Sequence, residues 1–148
     1  MLNFDEHGNL TPDQPIASDL GEVEDKLVFN EHRRLLFEAL KLFFEKKSDH
    51  YSLEFLEIWL DGSFATLKPN PLDIDVVLFV QYQTFDTYSE HFEQWKKEFK
   101  SMLDLYFVRV YPESHPLQFR FESDRIYWLS QFSKDRKRRK KGLISIIP

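Results

Sequence analysis

Apolar positions along the chain switch between two rhythms, and the switches mark out the elements. From Asn30, which reads as a helix N-cap followed by acidic Glu31, Leu35, Leu36, Leu40, Phe43 and Phe44 recur near helical spacing. Arg33, Arg34, Lys41, Lys46 and Lys47 fall on the other side. The spacing predicts a helix of about 15 to 19 residues ending near Ser48-Asp49. Phe55 to Leu60 is short and apolar-rich and ends at Asp61-Gly62-Ser63, a strand running into a tight turn. A loop follows from Phe64 to Pro71, closed by Pro69-Asn70-Pro71.

Asp73 to Val80 is almost wholly β-branched or apolar apart from its two acids, as a strand buried on both faces should be. Tyr88, Phe92, Trp95, Phe99 and Met102 then follow helical spacing and predict a second amphipathic helix over 87 to 102. Asp104 to Tyr111 reads as a third strand stopped by Pro112, Leu117 to Phe132 as a further helix, and Leu143 to Ile147 as a last strand. Residues 1 to about 22, punctuated by Gly8, Pro12, Pro15 and Gly21, read as an irregular lead-in. The order predicts an α+β fold: one domain over residues 1–148, a mixed β-sheet packed with helices.

Composition narrows the setting. A chain of 148 residues with 42% hydrophobic content is long enough for one cored domain and too short for two. No apolar run approaches the roughly 20 residues of a membrane span, so none is expected. Met1 to Gly8 lacks the apolar stretch of a secretory signal. The absence of Cys removes disulfides and thiolate metal sites and fits a cytoplasmic protein. The net charge of −5 conceals an asymmetry, since Lys134 to Lys141 holds seven basic residues and one acid. Such a run is either a solvated C-terminal loop or the place where negative charge meets the protein.

Candidate chemistry concentrates between positions 62 and 104. Gly62 is the one glycine of the central region, and it sits where a strand ends, before a serine. Glycine lets backbone N–H groups approach a ligand closely, so Gly62-Ser63 can present donors and a hydroxyl to phosphate oxygens. Asp73 and Asp75, two residues apart on a strand, project from one face. Paired carboxylates are costly to bury unless something neutralises them, and Mg²⁺ with substrate phosphates is the usual partner. Asp104 opens a later strand and would join them if the two strands are neighbours. The five His residues show no zinc-like spacing, and Ser63 has no evident triad partners.

Gly62-Ser63, nine residues, then Asp73-Ile74-Asp75 and an apolar strand, with Asp104 on a later one, resemble the signature of the DNA polymerase beta-like nucleotidyltransferase superfamily. The small stand-alone prokaryotic members are the nearest in size. The resemblance spans roughly residues 52 to 111 and implies a nucleotidyltransferase-like domain. It implies that Asp73 and Asp75 bind the Mg²⁺ ions holding a nucleoside triphosphate, that Asp104 completes the second metal site and helps activate the attacking hydroxyl, and that Gly62 and Ser63 bind the β/γ-phosphates. One departure stands out. Where many small members carry an arginine soon after Gly-Ser, this chain has Phe64-Ala65-Thr66-Leu67 and then Lys68, a substitute phosphate contact.

The expected activity is therefore transfer of a nucleotide from an NTP onto a hydroxyl of RNA, a protein or a small molecule. The basic segment Lys134 to Lys141 would serve an RNA or protein acceptor, and Tyr127, Trp128 and Phe132 either stack on a base or, at helical spacing, belong to the core. Small members often work in toxin–antitoxin or defence modules, which also admits a small helical partner protein. The alternative is a catalytically silent partner of the same fold, an antitoxin or assembly subunit. A DxD-type glycosyltransferase fits less well, because it needs a larger nucleotide-sugar domain.

Overall fold

The computed structural model describes all residues, 1–148. Two short strands, β1 (Asn3–Phe4) and β2 (Leu10–Thr11), pair with each other, and β3 (Pro15–Ala17) leads into helix α1 (Leu20–Leu27). Helix α2 (Glu31–Phe43) continues as a π-helical stretch to Asp49, followed by β4 (Glu57–Asp61), β5 (Ile74–Gln81), α3 (Tyr82–Phe99) and β6 (Leu103–Val110). Helix α4 (Gln118–Phe132) and β7 (Leu143–Ile146) complete the order. Five strands form one mixed sheet in the order β3-β7-β4-β5-β6, with β3 parallel to β7, β5 parallel to β6, and the other pairs antiparallel. The fold is α+β, as the pattern of elements predicts. No helix is long and apolar enough to cross a membrane.

The alternation of β5 decides which face meets which helices. Ile74, Val76, Leu78 and Val80 point into the larger core, where Leu36, Phe37, Leu40 and Phe43 of α2 and Phe92 and Trp95 of α3 pack. Val77 and Phe79 point the other way, joining Trp59, Val108 and Leu143 under the half-buried aromatic stripe of α4. Both faces are therefore covered, which is why the strand reads as continuously apolar. Asp75 shares the parity of Val77 and Phe79, so the candidate carboxylates belong to the α4 face.

Several boundaries differ from the sequence expectation. The lead-in of residues 1 to 22 is not irregular: β3 adds a strand to the main sheet through Pro15↔Leu143 and Ile16↔Ile144, and α1 begins at Leu20 with Asp19 as its N-cap. A three-residue strand leaves too few alternations to be seen in sequence. Helix α3 starts directly after β5, because Phe85 packs on Phe92 and extends the apolar stripe by about one turn. It ends at Phe99, since Leu103 is already paired with Ile74 in the sheet. Arg33 is not on the solvent side of α2 but fully buried.

Candidate active site

The sheet brings its acids to one edge. Chain ends of four strands meet there: β4 leaves the sheet at Asp61, while β5, β6 and β7 enter it. Across that edge Asp61 is in register with Asp75, and Asp75 with Asp104. Register partners point to the same face, and neighbouring strands lie about 4.8 Å apart, so the three form a row across β4, β5 and β6. Asp73 lies two residues before Asp75, just ahead of β5, with the same parity. The structure thus sets Asp104 beside Asp75 on this edge, with Asp73 just ahead of β5, and adds Asp61.

Gly62 closes the row. It has φ +72, a backbone conformation natural to glycine, and it turns the chain from β4 into a 3₁₀ segment over Gly62–Ala65. A Cβ at this position would collide with Asp75 Oδ2 and reach to 3.0 Å from its Cγ. The carboxylate of Asp75 therefore lies against the glycine backbone, next to Ser63. Burial pushes the Asp75 carboxyl up to about 7, and the charges of Asp73, Asp104 and Asp61 push in the same direction, with Lys141 opposing. Burial likewise raises Asp73, with Asp104 adding to it.

Behind the turn, the packing is built from two buried cations. Arg33, from the first turn of α2, donates from Nη1 to the carbonyls of Leu27 (3.0 Å) and Phe64 (2.9 Å). Its Nη2 donates to those of Ser63 (3.3 Å) and Thr66 (2.6 Å), and its Nε to Lys68 at 3.0 Å. The planar fork of guanidinium donors suits such a ring of carbonyls, and the rings of Phe29 and Phe64 lie over its faces at 4.4 and 5.1 Å. Burial lowers the Arg33 pKa to about 10, leaving it charged at neutral pH. The loop from Ser63 to Lys68 is held by this one side chain more than by regular structure. Thr66 adds a hydroxyl bond to the Ser63 carbonyl at 2.6 Å.

The second cation is Lys141, 5% exposed, whose Nζ is paired with the fully buried Asp61 Oδ1 and reaches the Gly62 carbonyl at 3.4 Å. Asp61 Oδ2 has no partner. Burial raises the Asp61 carboxyl, and Lys141 works against that rise. Lys141 is thus not part of a solvated basic loop, as its sequence neighbours suggest. It fixes the end of that segment to the strand exit that carries Gly62.

At the other end of the row, the Tyr106 hydroxyl donates to Asp104 Oδ2 at 2.5 Å, and its ring lies 4.5 Å from that of Trp128 on α4. Burial, then the bond to Asp104, raises the Tyr106 pKa, so this hydroxyl stays a donor. Trp128 and Phe132 therefore belong first to the packing of α4 on the sheet, whereas Tyr127 is exposed.

No ion pair of the chain engages Asp73, Asp75 or Asp104. A hard divalent cation would suit such carboxylates, because they share an edge and none is ion-paired. No group of three or more His, Asp or Glu side chains forms a ready-made metal cage. Gly62, Ser63, Lys68, Asp73 and Asp75 line one cleft of about 1260 Å³ together with Lys134, Arg136, Lys137 and Arg139. The N-terminal turn Asp5 to Asn9 lines it too, held by the Leu67 N–H bond to the Gly8 carbonyl at 2.9 Å.

Sequence reasoning missed Asp61, Arg33 and Lys141. Asp61 has the parity of Trp59 on β4 and was legible as an inward acid once that strand was paired with β5. Arg33 and Lys141 sit in charged surroundings, and nothing local separates them from their solvated neighbours.

A family model described as "Family of unknown function (DUF6932)" matches residues 2–147, and the chain belongs to this family. No curated protein and no solved structure matches it.

Proposed function

We propose that this member of the DUF6932 family is a Mg²⁺-dependent nucleotidyltransferase that moves a nucleotide from an NTP onto an acceptor hydroxyl. The observation that carries this reading is Asp75 lying against Gly62 and in register with Asp104, with none of Asp73, Asp75 and Asp104 ion-paired. The resemblance of the Gly-Ser and Asp-x-Asp pattern to polymerase beta-like nucleotidyltransferases supports the same reading.

In this reaction the acceptor oxygen attacks the α-phosphorus, a new P–O bond forms, and the bond to the leaving pyrophosphate breaks. Mg²⁺ held by Asp73, Asp75 and Asp104 would supply charge neutralisation for the phosphates. The remaining work falls to the protein. The Gly62-Ser63 turn offers backbone N–H groups and a hydroxyl to the β- and γ-phosphate oxygens, and the Lys68 side chain lines the same cleft. Arg33 keeps those donors in place before any ligand arrives, so little reorganisation is needed at the moment of reaction. Asp104, which accepts a hydrogen bond from the Tyr106 hydroxyl, would take the acceptor's proton. Transfer of this kind depends on positioning and electrostatics more than on covalent catalysis.

A silent nucleotide-binding partner, an antitoxin or assembly subunit, is the second reading. One observation favours it. Phe64 and Ala65, which occupy the region where small family members often place an arginine, are both fully buried, and neither lines the cleft. Incubation of the purified protein with labelled NTPs, Mg²⁺ and total RNA or a candidate partner protein separates the two. Transfer of label that disappears in Asp73→Ala and Asp75→Ala is the expected result. No transfer with any acceptor, from a protein that still binds Mg²⁺-NTP, would leave the silent partner as the surviving reading.

A further inference from the structure

The basic run is a built element. Residues Ser133 to Lys141 form a hairpin, closed by the Lys134↔Lys140 bridge and by the Lys141 N–H bond to the Ser133 carbonyl at 2.9 Å. Asp135 holds its turn, accepting from the backbone N–H of Lys137 (2.8 Å) and Arg139 (2.9 Å) and from Arg139 Nε (2.7 Å). It also accepts from Asn9 Nδ2 at 3.0 Å, which joins the hairpin to the N-terminal turn. At its base, Lys141 is buried against Asp61. Both ends are thus fastened beside the carboxylate row.

What the fastening leaves over is charge. Asp135 engages Arg139, and Asp61 engages Lys141, but Lys134, Arg136 and Lys137 are exposed, line the cleft and pair with no acid. Arg138 and Lys140 are exposed on the same hairpin outside the cleft lining, so positive charge continues past its rim. Phe132, in the last turn of α4, lines the cleft beside them, stacked on Trp128 at 5.7 Å and 15°. At about 1260 Å³ the cleft exceeds the roughly 300–1,000 Å³ of a typical small-ligand site.

We propose that the Ser133–Lys141 hairpin grips the phosphate backbone of a single-stranded nucleic acid, which enters the cleft past Phe132 and presents its terminal hydroxyl to the carboxylate row. Cations tracking a backbone beside an aromatic face are how proteins hold single strands without reading sequence. A free triphosphate would fill only the cleft, whereas a strand also uses the charge beyond its rim. An acidic protein segment would meet the cations but would gain little from a ring.

The binding step tests this without any turnover, and only the acceptor role rests on the transferase reading above. The probe is a fluorescently labelled short single-stranded RNA of mixed sequence, followed by anisotropy across a salt titration. The variant is Lys134→Gln with Arg136→Gln and Lys137→Gln, all exposed, and a Lys134→Arg with Lys137→Arg variant serves as the charge-retaining control. We expect the triple variant to bind RNA at least tenfold more weakly. Its salt dependence should flatten by about 2 in log–log slope, from three lost contacts at about 0.7 each. Its affinity for Mg²⁺-ATP should stay within twofold, and the arginine variant should bind RNA as the parent does. Unchanged RNA affinity in the triple variant, no RNA binding by the parent, or equal binding of a polyglutamate peptide would each overturn the proposal. So would a loss confined to Mg²⁺-ATP, which would make the hairpin a triphosphate clamp. RNA binding that behaves as expected in a protein that transfers no label would sink the transferase reading and leave the hairpin's role intact.

Discussion

Asp75 Oδ2 occupies the space that a side chain on Gly62 would fill. The two residues come from neighbouring strands, since Asp61, just before the glycine, is the register partner of Asp75. Turn and carboxylate are therefore one object, and neither can be altered without moving the other.

Gly62→Ala should accordingly do more harm to activity than to the fold. The positive φ and the displaced carboxylate should cost about 1–3 kcal/mol, seen as a lower urea midpoint. Transfer should fall by about 100-fold or more, because displacement of a reacting group by around 1 Å is enough for that. A variant with full transfer and a lowered midpoint would show that Asp75 does not act from this position.

Arg33 makes the opposite prediction. Arg33→Met leaves carbonyls of Leu27, Ser63, Phe64, Thr66 and Lys68 without their shared donor. Each buried group stripped of its partner costs about 1–3 kcal/mol, so a loss of at least ~3 kcal/mol is expected by chemical denaturation. Arg33→Lys should recover part of it, because an ammonium has three donors and no planar fork. Full recovery by lysine would mean that charge, rather than the ring of carbonyls, is what the site needs.

These two positions also show what the sequence discloses. Gly62 alone reads as an ordinary turn glycine, and its nine-residue spacing from the Asp-x-Asp strand is what marks it. Asp73, Asp75 and Asp104 were legible for a different reason: acids opening apolar strands conflict with their surroundings. Arg33 was not, because an arginine among other cations on an amphipathic helix fits its local pattern completely. Its burial depends on the Ser63–Lys68 loop, 30 to 35 residues away and outside any local pattern, turning its carbonyls inward. Lys141 was hidden in the same way, as the last member of a run whose other members face solvent. Strand β3 escaped because it borrows its regularity from β7 rather than from its own residues.

The acidity of Asp75 gives a pH dependence with a definite sign. Its folded pKa, raised to about 7 by burial and then by its acidic neighbours, lies above the unfolded carboxylate value. The folded state therefore holds the proton more tightly, and this contribution to stability is complete below about pH 4 and lost as pH rises to about 7. Asp75→Asn should flatten the fall in thermal stability over that window. Mg²⁺ needs the ionised carboxylate, so the rise in Tm on adding Mg²⁺ should grow from pH 6 to 8 in the parent and shrink in Asp75→Asn. A Mg²⁺ response that is independent of pH and of Asp75 would place the ion elsewhere.

Asp61 and Lys141 supply the last test, because their buried pairing looks the same whether it stabilises the fold or only positions the turn. Replacing one member strands the other: Lys141→Met or Asp61→Leu alone should each cost about 3–5 kcal/mol. The double variant removes both charges, and Asp61 Oδ2 is already without a partner, so most of that loss should be recovered. If the pair serves stability alone, the double variant should also recover transfer. The geometry argues otherwise, since Lys141 Nζ reaches the Gly62 carbonyl and its charge also bears on Asp75. A methionine does neither. The double variant should therefore fold and still transfer at least tenfold more slowly than the parent. Recovery of both stability and transfer would reduce the pair to a structural one.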